Sequence, residues 1–173
     1  NANGTSFVVW AQSNGDGGAK SLWATRGAGM VWDDAGILDA PTWESVESPT
    51  VVVSSFGQGI ALWSRGAPAP AMSAIWSALT NIGAEWSGIV SLETPGPGRS
   101  ERPRAVIGAD GIVDAVWRRD DGRLYWNAKQ IDGGTWDQLR VAYVEDAGAV
   151  GALRLARDDS RRLFAAWEEV GAA

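Results

Sequence analysis

Tryptophan recurs in this chain at a fixed interval, and that interval constrains the fold more than any other feature. Trp32 to Trp63, Trp86 to Trp117 and Trp136 to Trp167 are each 31 positions apart. Proline falls 17 positions after the first tryptophan in two of these units, at Pro49 and Pro103, and Leu153 takes that place in the third. A further tryptophan completes each unit: Trp23 in "KSLWATR", Trp76 in "MSAIWSA" and Trp126 in "GRLYWNAK". Trp10 to Trp23 and Trp63 to Trp76 span 13 positions and Trp117 to Trp126 spans 9. The intervening turn, "SRGAPAPAM" against "RRDDG", accounts for the difference. The period is therefore 50 to 54 residues. A repeat of that length, with insertions confined to turns, stacks one supersecondary unit on the next.

The unit is made of strands. "TVVVSSF", "RAVIGA" and "GALRLA" form one set, and "SFVVW", "GIALW", "IVDAVW" and "RLFAAW" a second. The third set carries SLW, AIW and LYW, and the fourth opens with "GMVWDDAGIL", "GAEWSGIVSL" and "GGTWDQLRVA". Each run is short, rich in Val, Ile and Trp, and bounded by turn residues. "DAVWRRDDGRLYW" has the outline of a hairpin with an Asp-Gly turn. "VAYVEDAGAVGALRLARDDSRR" could pass for a helix, but the repeat register makes it strand four followed by strand one. No segment sustains a capped 3.6-residue apolar period.

The reading is all-β, with four short antiparallel strands per repeat and about three and a third repeats in a single domain, 1–173. Its divisions are a partial unit 1–40, units 49–95 and 103–146, and a partial unit 150–170. Such a unit is the blade of a β-propeller. A sandwich would not repeat its sequence so faithfully.

The pattern P-x-x-V-x-x-x-x-G-x-x-x-A-V-W, followed by W-x-x-R-type and G-x-W segments, has its fullest copy in "RPRAVIGADGIVDAVWRRDDGRLYWNAKQIDGGTW". It resembles the Trp-rich, propeller-like repeats of large secreted or surface-exposed bacterial proteins, which are similar to propeller lectins. The resemblance covers nearly the whole chain and implies an extracellular or cell-surface location. It bears on fold more than on activity, because propellers host many functions.

Composition removes several classes. With neither Cys nor His, the chain has no disulfide, no thiolate metal site, no Ser-His-Asp triad and no HExxH zinc site. A net charge of −6 without a basic cluster argues against nucleic acid. No run approaches the ~18 apolar residues of a membrane helix. "NANGTSF" has neither an initiator Met nor a signal-peptide pattern, and reads as the start of a processed or excised segment.

Catalysis finds little purchase. "IDGGTWDQ" resembles the sialidase Asp-box but is one residue short, and the other units read "GAEW" and "GMVW". Sialidase chemistry also needs an arginine cluster and a Tyr–Glu pair, whereas Tyr125 and Tyr143 fall within strand patterns. The pairs Asp33-Asp34, Asp120-Asp121 and Asp158-Asp159 read as turn residues. Glu168 and Glu169, adjacent on a strand, point to opposite faces and make no dyad. In "SNGDGGAK", Asn14 and Asp16 alternate around glycines as in some calcium loops, but too few oxygen ligands are present and a hairpin turn is the simpler reading. The expectation is a non-enzyme with no metal and no cofactor.

The tryptophans divide by strand. Trp10, Trp63, Trp117 and Trp167, each after two or more apolar residues in the second strand, are expected between blades as core. Trp23, Trp76 and Trp126 lie further out, with Arg26 and Lys129 three residues after two of them and Leu79 in that place in the middle unit. Trp32, Trp86 and Trp136 each follow a glycine-bearing turn beside Asp33, Ser87 and Asp137. An aromatic face with a carboxylate or cation nearby suits a sugar, so Trp23, Arg26, Trp76, Trp126, Lys129, Trp32, Trp86 and Trp136 are the candidate ligand-binding residues. The competing reading makes each of them a cap on its own blade core. Trp43, in the loop "LDAPTWESVESP", has no counterpart and is either a plug or a partner contact.

The expected function is multivalent, lectin-like glycan recognition. The alternative is a structural or adhesive module binding protein partners or itself. Three periods cannot close a propeller of four to eight blades. Either the chain is a piece of a longer array, or a homo-oligomer completes a ring of six or seven blades from two copies.

Overall fold

Runs of branched and aromatic residues between turn residues satisfy their backbone groups by pairing with their neighbours in sequence. The computed structural model describes residues 1–13, 15, 19–41, 44–66, 72–80, 85–94, 98–144 and 148–171, with the backbone alone at 144, 148–150 and 169–171. Among these residues there is no helix, and the chain is all-β in four antiparallel sheets.

The first sheet holds β1 (Thr5–Ser13), β2 (Lys20–Ala28), β3 (Val31–Trp32) and β4 (Gly36–Asp39), with β3 and β4 both on β2. The second runs β5 (Ser45–Val53), β6 (Gly59–Gly66), β7 (Ser73–Thr80) and β8 (Val90–Ser91) in spatial order. The third repeats that order with β9 (Ser100–Ile107), β10 (Ile112–Arg119), β11 (Arg123–Gln130) and β12 (Arg140–Val144). The fourth is the pair β13 (Gly148–Arg157) and β14 (Leu163–Gly171). The stretch that could pass for a helix is β12 followed by β13, and "DAVWRRDDGRLYW" is the β10–β11 hairpin.

Local chemistry recurs at matching positions. Gly57, Gly111 and Arg161 all have positive φ (87°, 76° and 67°). Each donates its N–H to the carbonyl three residues back, at Ser54, Gly108 and Asp158. Gly4 does the same to Asn1. Ser48 and Arg102, at φ 50° and 53°, precede Pro49 and Pro103, where the pairing of β5 with β6 and of β9 with β10 slips. Proline has no N–H for the ladder, so the strand bulges there.

The sheets stack in chain order. Leu22, with Val9 and Ala11, packs from the first sheet onto Val46, Ala61, Trp63 and Ala78 of the second. The opposite face of the second sheet, with Ile60, Leu62 and Ile75, meets Val113, Ala115, Trp117 and Tyr125 of the third. Val116 and Leu124, on the third sheet's other face, meet Leu153, Leu155 and Trp167 of the fourth. Side chains alternate faces along a strand, so both middle sheets are buried on both sides. Trp63, Trp117 and Trp167 all face the sheet before their own. We call this the front of each sheet. Trp10, at the same register of the first sheet, has no described sheet in front of it and is half-buried.

One equivalence from the sequence is corrected. Trp23 pairs with Trp10 and Trp76 with Trp63, but the residue paired with Trp117 is Tyr125. Trp126 pairs with Val116 and so lies on the back of its sheet, toward the fourth. The β10–β11 turn is shorter by one residue more than the tryptophan spacing suggests, and a slip of one residue reverses the face.

Trp117 is fully buried and Trp32 is 49% exposed. Trp117→Ala should therefore lower unfolding stability by about 3–5 kcal/mol, and Trp32→Ala by about 1 kcal/mol or less, in urea titrations followed by circular dichroism.

Candidate functional site

Trp32, Trp86 and Trp136 stand just before the fourth strand of each sheet, not at its start as the sequence pattern suggested. Their equivalence rests on a repeated backbone bond. The N–H of Asp33, Ser87 and Asp137 reaches the carbonyl of Arg26, Leu79 and Ala128 at 2.8, 2.6 and 2.9 Å. Each indole is thereby anchored on a neighbouring strand of its own sheet, β2, β7 or β11.

Two of the three reach forward into the next layer. Trp86 meets Phe7 of the first sheet edge to face, with ring centroids 5.6 Å apart. Trp136 donates its indole N–H to Ser77 Oγ of the second sheet at 3.0 Å. Trp32 has no such partner sheet and lies over Gly27, where even a Cβ would sit 3.0 Å from the ring.

Beside each forward-reaching indole is a cleft. The first, about 580 Å³, lies between the first and second sheets and is lined by Arg26, Asp33, Asp34, Glu85, Trp86 and Ser87, among others. The second, about 570 Å³, lies between the second and third sheets, with Glu93, Thr94, Lys129, Thr135, Trp136 and Asp137 in its walls. They are the same feature repeated. Glu85, Trp86 and Ser87 stand where Thr135, Trp136 and Asp137 stand, and Gly36–Leu38 where Val90–Leu92 stand.

Polar groups in the clefts are held in place. Arg26 Nε is 3.1 Å from Asp33 Oδ2. Lys129 Nζ donates to the Gly134 carbonyl at 2.8 Å, and the buried Glu93 accepts the Ile75 N–H at 3.0 Å. Acidic side chains outnumber basic ones in both: Asp33, Asp34 and Glu85 against Arg26, and Glu93 and Asp137 against Lys129. Like charges disfavour an anionic guest, while an indole edge with fixed donors and acceptors suits a neutral polyhydroxyl one.

The eight residues singled out in the sequence do not gather in one place. Arg26 and Trp86 line the first cleft, and Lys129 and Trp136 the second. Trp76 packs in the layer between the first and second sheets under the Arg65 guanidinium, 5.2 Å from its ring. Trp126 donates to Asp114 Oδ1 at 3.0 Å beneath Arg140. Trp23 stacks on Trp10 at 6.3 Å on the front of the first sheet, beside Trp32. Arg26 and Lys129 are not register equivalents, because Lys129 corresponds to Gly27 and Thr80. Glu85, Thr135 and Glu93 were missed, although a polar residue just before the repeated tryptophan was a readable signal for the first two. Trp43, Asn14 and Asp16 lie outside the described residues.

No protein-family model matches the chain, and no curated protein matches it.

Below the first cleft, Asp39 ties the layers together. Its Oδ2 accepts the Trp63 indole N–H at 3.0 Å, and Arg65, itself paired with Glu44, lies 3.5 Å from its other oxygen. Burial raises the Asp39 carboxyl above the usual carboxylate range despite the pull of Arg65 and the indole. A raised carboxyl binds its proton more tightly in the folded chain, so its ionisation opposes folding above the folded pKa and ceases to matter below the unfolded value of about 3.9. Asp39→Asn removes that cost. Its stability relative to the parent should be highest near neutral pH and fall as pH is lowered toward about 3, in urea titrations at a series of pH values.

Proposed function

We propose that the four sheets are blades of a propeller-like array, and that the chain is a non-catalytic, lectin-like module binding neutral glycans in the clefts between successive blades. The observation that carries this reading is the repetition of one cleft at two inter-sheet layers. In each, an indole stands at the wall beside fixed carboxylate, hydroxyl and cationic groups. Sugar C–H faces pack against an indole while ring hydroxyls take the polar groups. Two equivalent weak sites on one rigid stack yield affinity through avidity. The excess of acid in both clefts selects neutral or amino sugars over sialylated or sulfated ones. The Trp-rich secreted repeats that the sequence resembles give the same reading, with an extracellular or cell-surface setting.

A glycan array followed by calorimetry on a neutral hit tests this. Two sites per chain are expected. Arg26→Ala and Lys129→Ala should each weaken one of them by roughly tenfold or more, leaving a stoichiometry near one, and the double variant should bind neither. Absence of any neutral-glycan signal, or variants that bind like the parent, would overturn the proposal.

A structural or self-associating module is the second reading, and the uncovered tryptophan face of the first sheet favours it.

A further inference from the structure

Among the described residues the stack has two uncovered faces, one at each end, and they are of opposite kinds. The front of the first sheet shows Val8, Trp10, Trp23, Trp32 and Ile37, placed there by strand alternation and pairing. Val8, Trp32 and Ile37 are 44–54% exposed. Three indoles with two branched aliphatics make this front a large apolar surface. The back of the fourth sheet shows Arg154, Ala156, Phe164 and Ala166, all exposed.

We propose that a second copy of this chain covers the first sheet's tryptophan face with the back of its fourth sheet. The argument is continuity with the packing already described. Every other tryptophan-bearing front in the molecule is covered by the back of a sheet of the same repeat. Trp10 and Trp23 hold the register of Trp63 and Trp76, which pack against the first sheet. On the covering side, Phe164 and Ala156 pair as Ile60 and Val52 do. Ile60 and Val52 are the residues that cover the front of the third sheet. The alanines at 156 and 166 leave room for indole rings.

Charge fits as well. No charged side chain stands among Val8, Trp10, Gln12, Trp23 and Thr25 on the front face, so nothing there repels a neighbour. Trp63 hands its indole N–H to Asp39 in the sheet ahead, whereas Trp10 turns to Gln12 of its own strand at 3.0 Å. Glu168, exposed on the same face as Phe164 and Ala166, supplies a carboxylate for that role. Such contacts are head-to-tail, and they close into a ring or propagate according to the rotation between copies. The inference stands independently of the glycan reading.

Light scattering on the whole chain, with two surface variants, tests it. Val8→Arg spoils only the front face and Phe164→Arg only the back, and both side chains are exposed, so folding is unaffected. The parent should form an oligomer at high micromolar concentration, and each variant alone should be monomeric, with association weakened at least tenfold. An equimolar mixture of the two should stop at a one-to-one dimer, because each partner retains one good face. A parent that stays monomeric at about millimolar concentration overturns the proposal. So does a Phe164→Arg variant that still dimerises, since that would mean tryptophan faces meeting each other.

Discussion

Everything in this molecule hangs on an indole reaching from one sheet into the sheet ahead of it. Trp63 and Trp117 are fully buried at the same register of successive sheets, and Trp167 faces forward in the fourth. A strand covered on both faces has no solvent side, so it cannot show polar alternation. That is why Gly59 to Ser64 and Val113 to Trp117 are buried without interruption. The period of the sequence is the period of this layer: one large aromatic per sheet, spaced by the chain needed to lay down the remaining strands.

The layers are not chemically alike. Between the second and third sheets the centre of the contact is apolar, with Ile60 and Leu62 facing Trp117 and Tyr125. At the next layer Asp114 occupies the position of Ile60, and Arg157 comes across from the fourth sheet to meet it at 2.9 Å. Arg157 also pairs with Asp110 at 3.0 Å and donates to the Ile112 carbonyl. Burial raises the Asp114 carboxyl even with Arg157 and the Trp126 indole N–H beside it. A buried ion pair of this kind adds little net stability. It ties the two-stranded fourth sheet to the third.

Strand order, the hairpins and the buried second-strand tryptophans were legible in the sequence because each depends on local pattern and on a repeat that preserves spacing. The side of the sheet taken by Trp126 was not. "LYW" matches "AIW" and "SLW" by eye, yet Tyr125 is the residue opposite Trp117, and a single residue decides the face. The clefts were half legible. Trp86, Trp136, Arg26 and Lys129 carried a signal, but each cleft has walls from two sheets. Glu93 and Trp136 are 43 positions apart and meet only because the sheets stack. No motif spans such a gap.

The location of the clefts follows from the same packing. Stacked sheets twist, so two neighbours that touch closely at one edge splay at the other. Here the first strands crowd together, β5 against β9 and β9 against β13. At the far edge the fourth strands are short, only two residues in β8, and the sheets have parted enough to leave a gap. A tryptophan just before that strand spans part of the gap and leaves the rest open, with polar residues at its rim. Core and cleft are therefore one device: the inner indole closes a layer, and the outer indole holds it ajar. Any further layer in the stack would inherit both, provided that it brings a fourth strand to the outer edge.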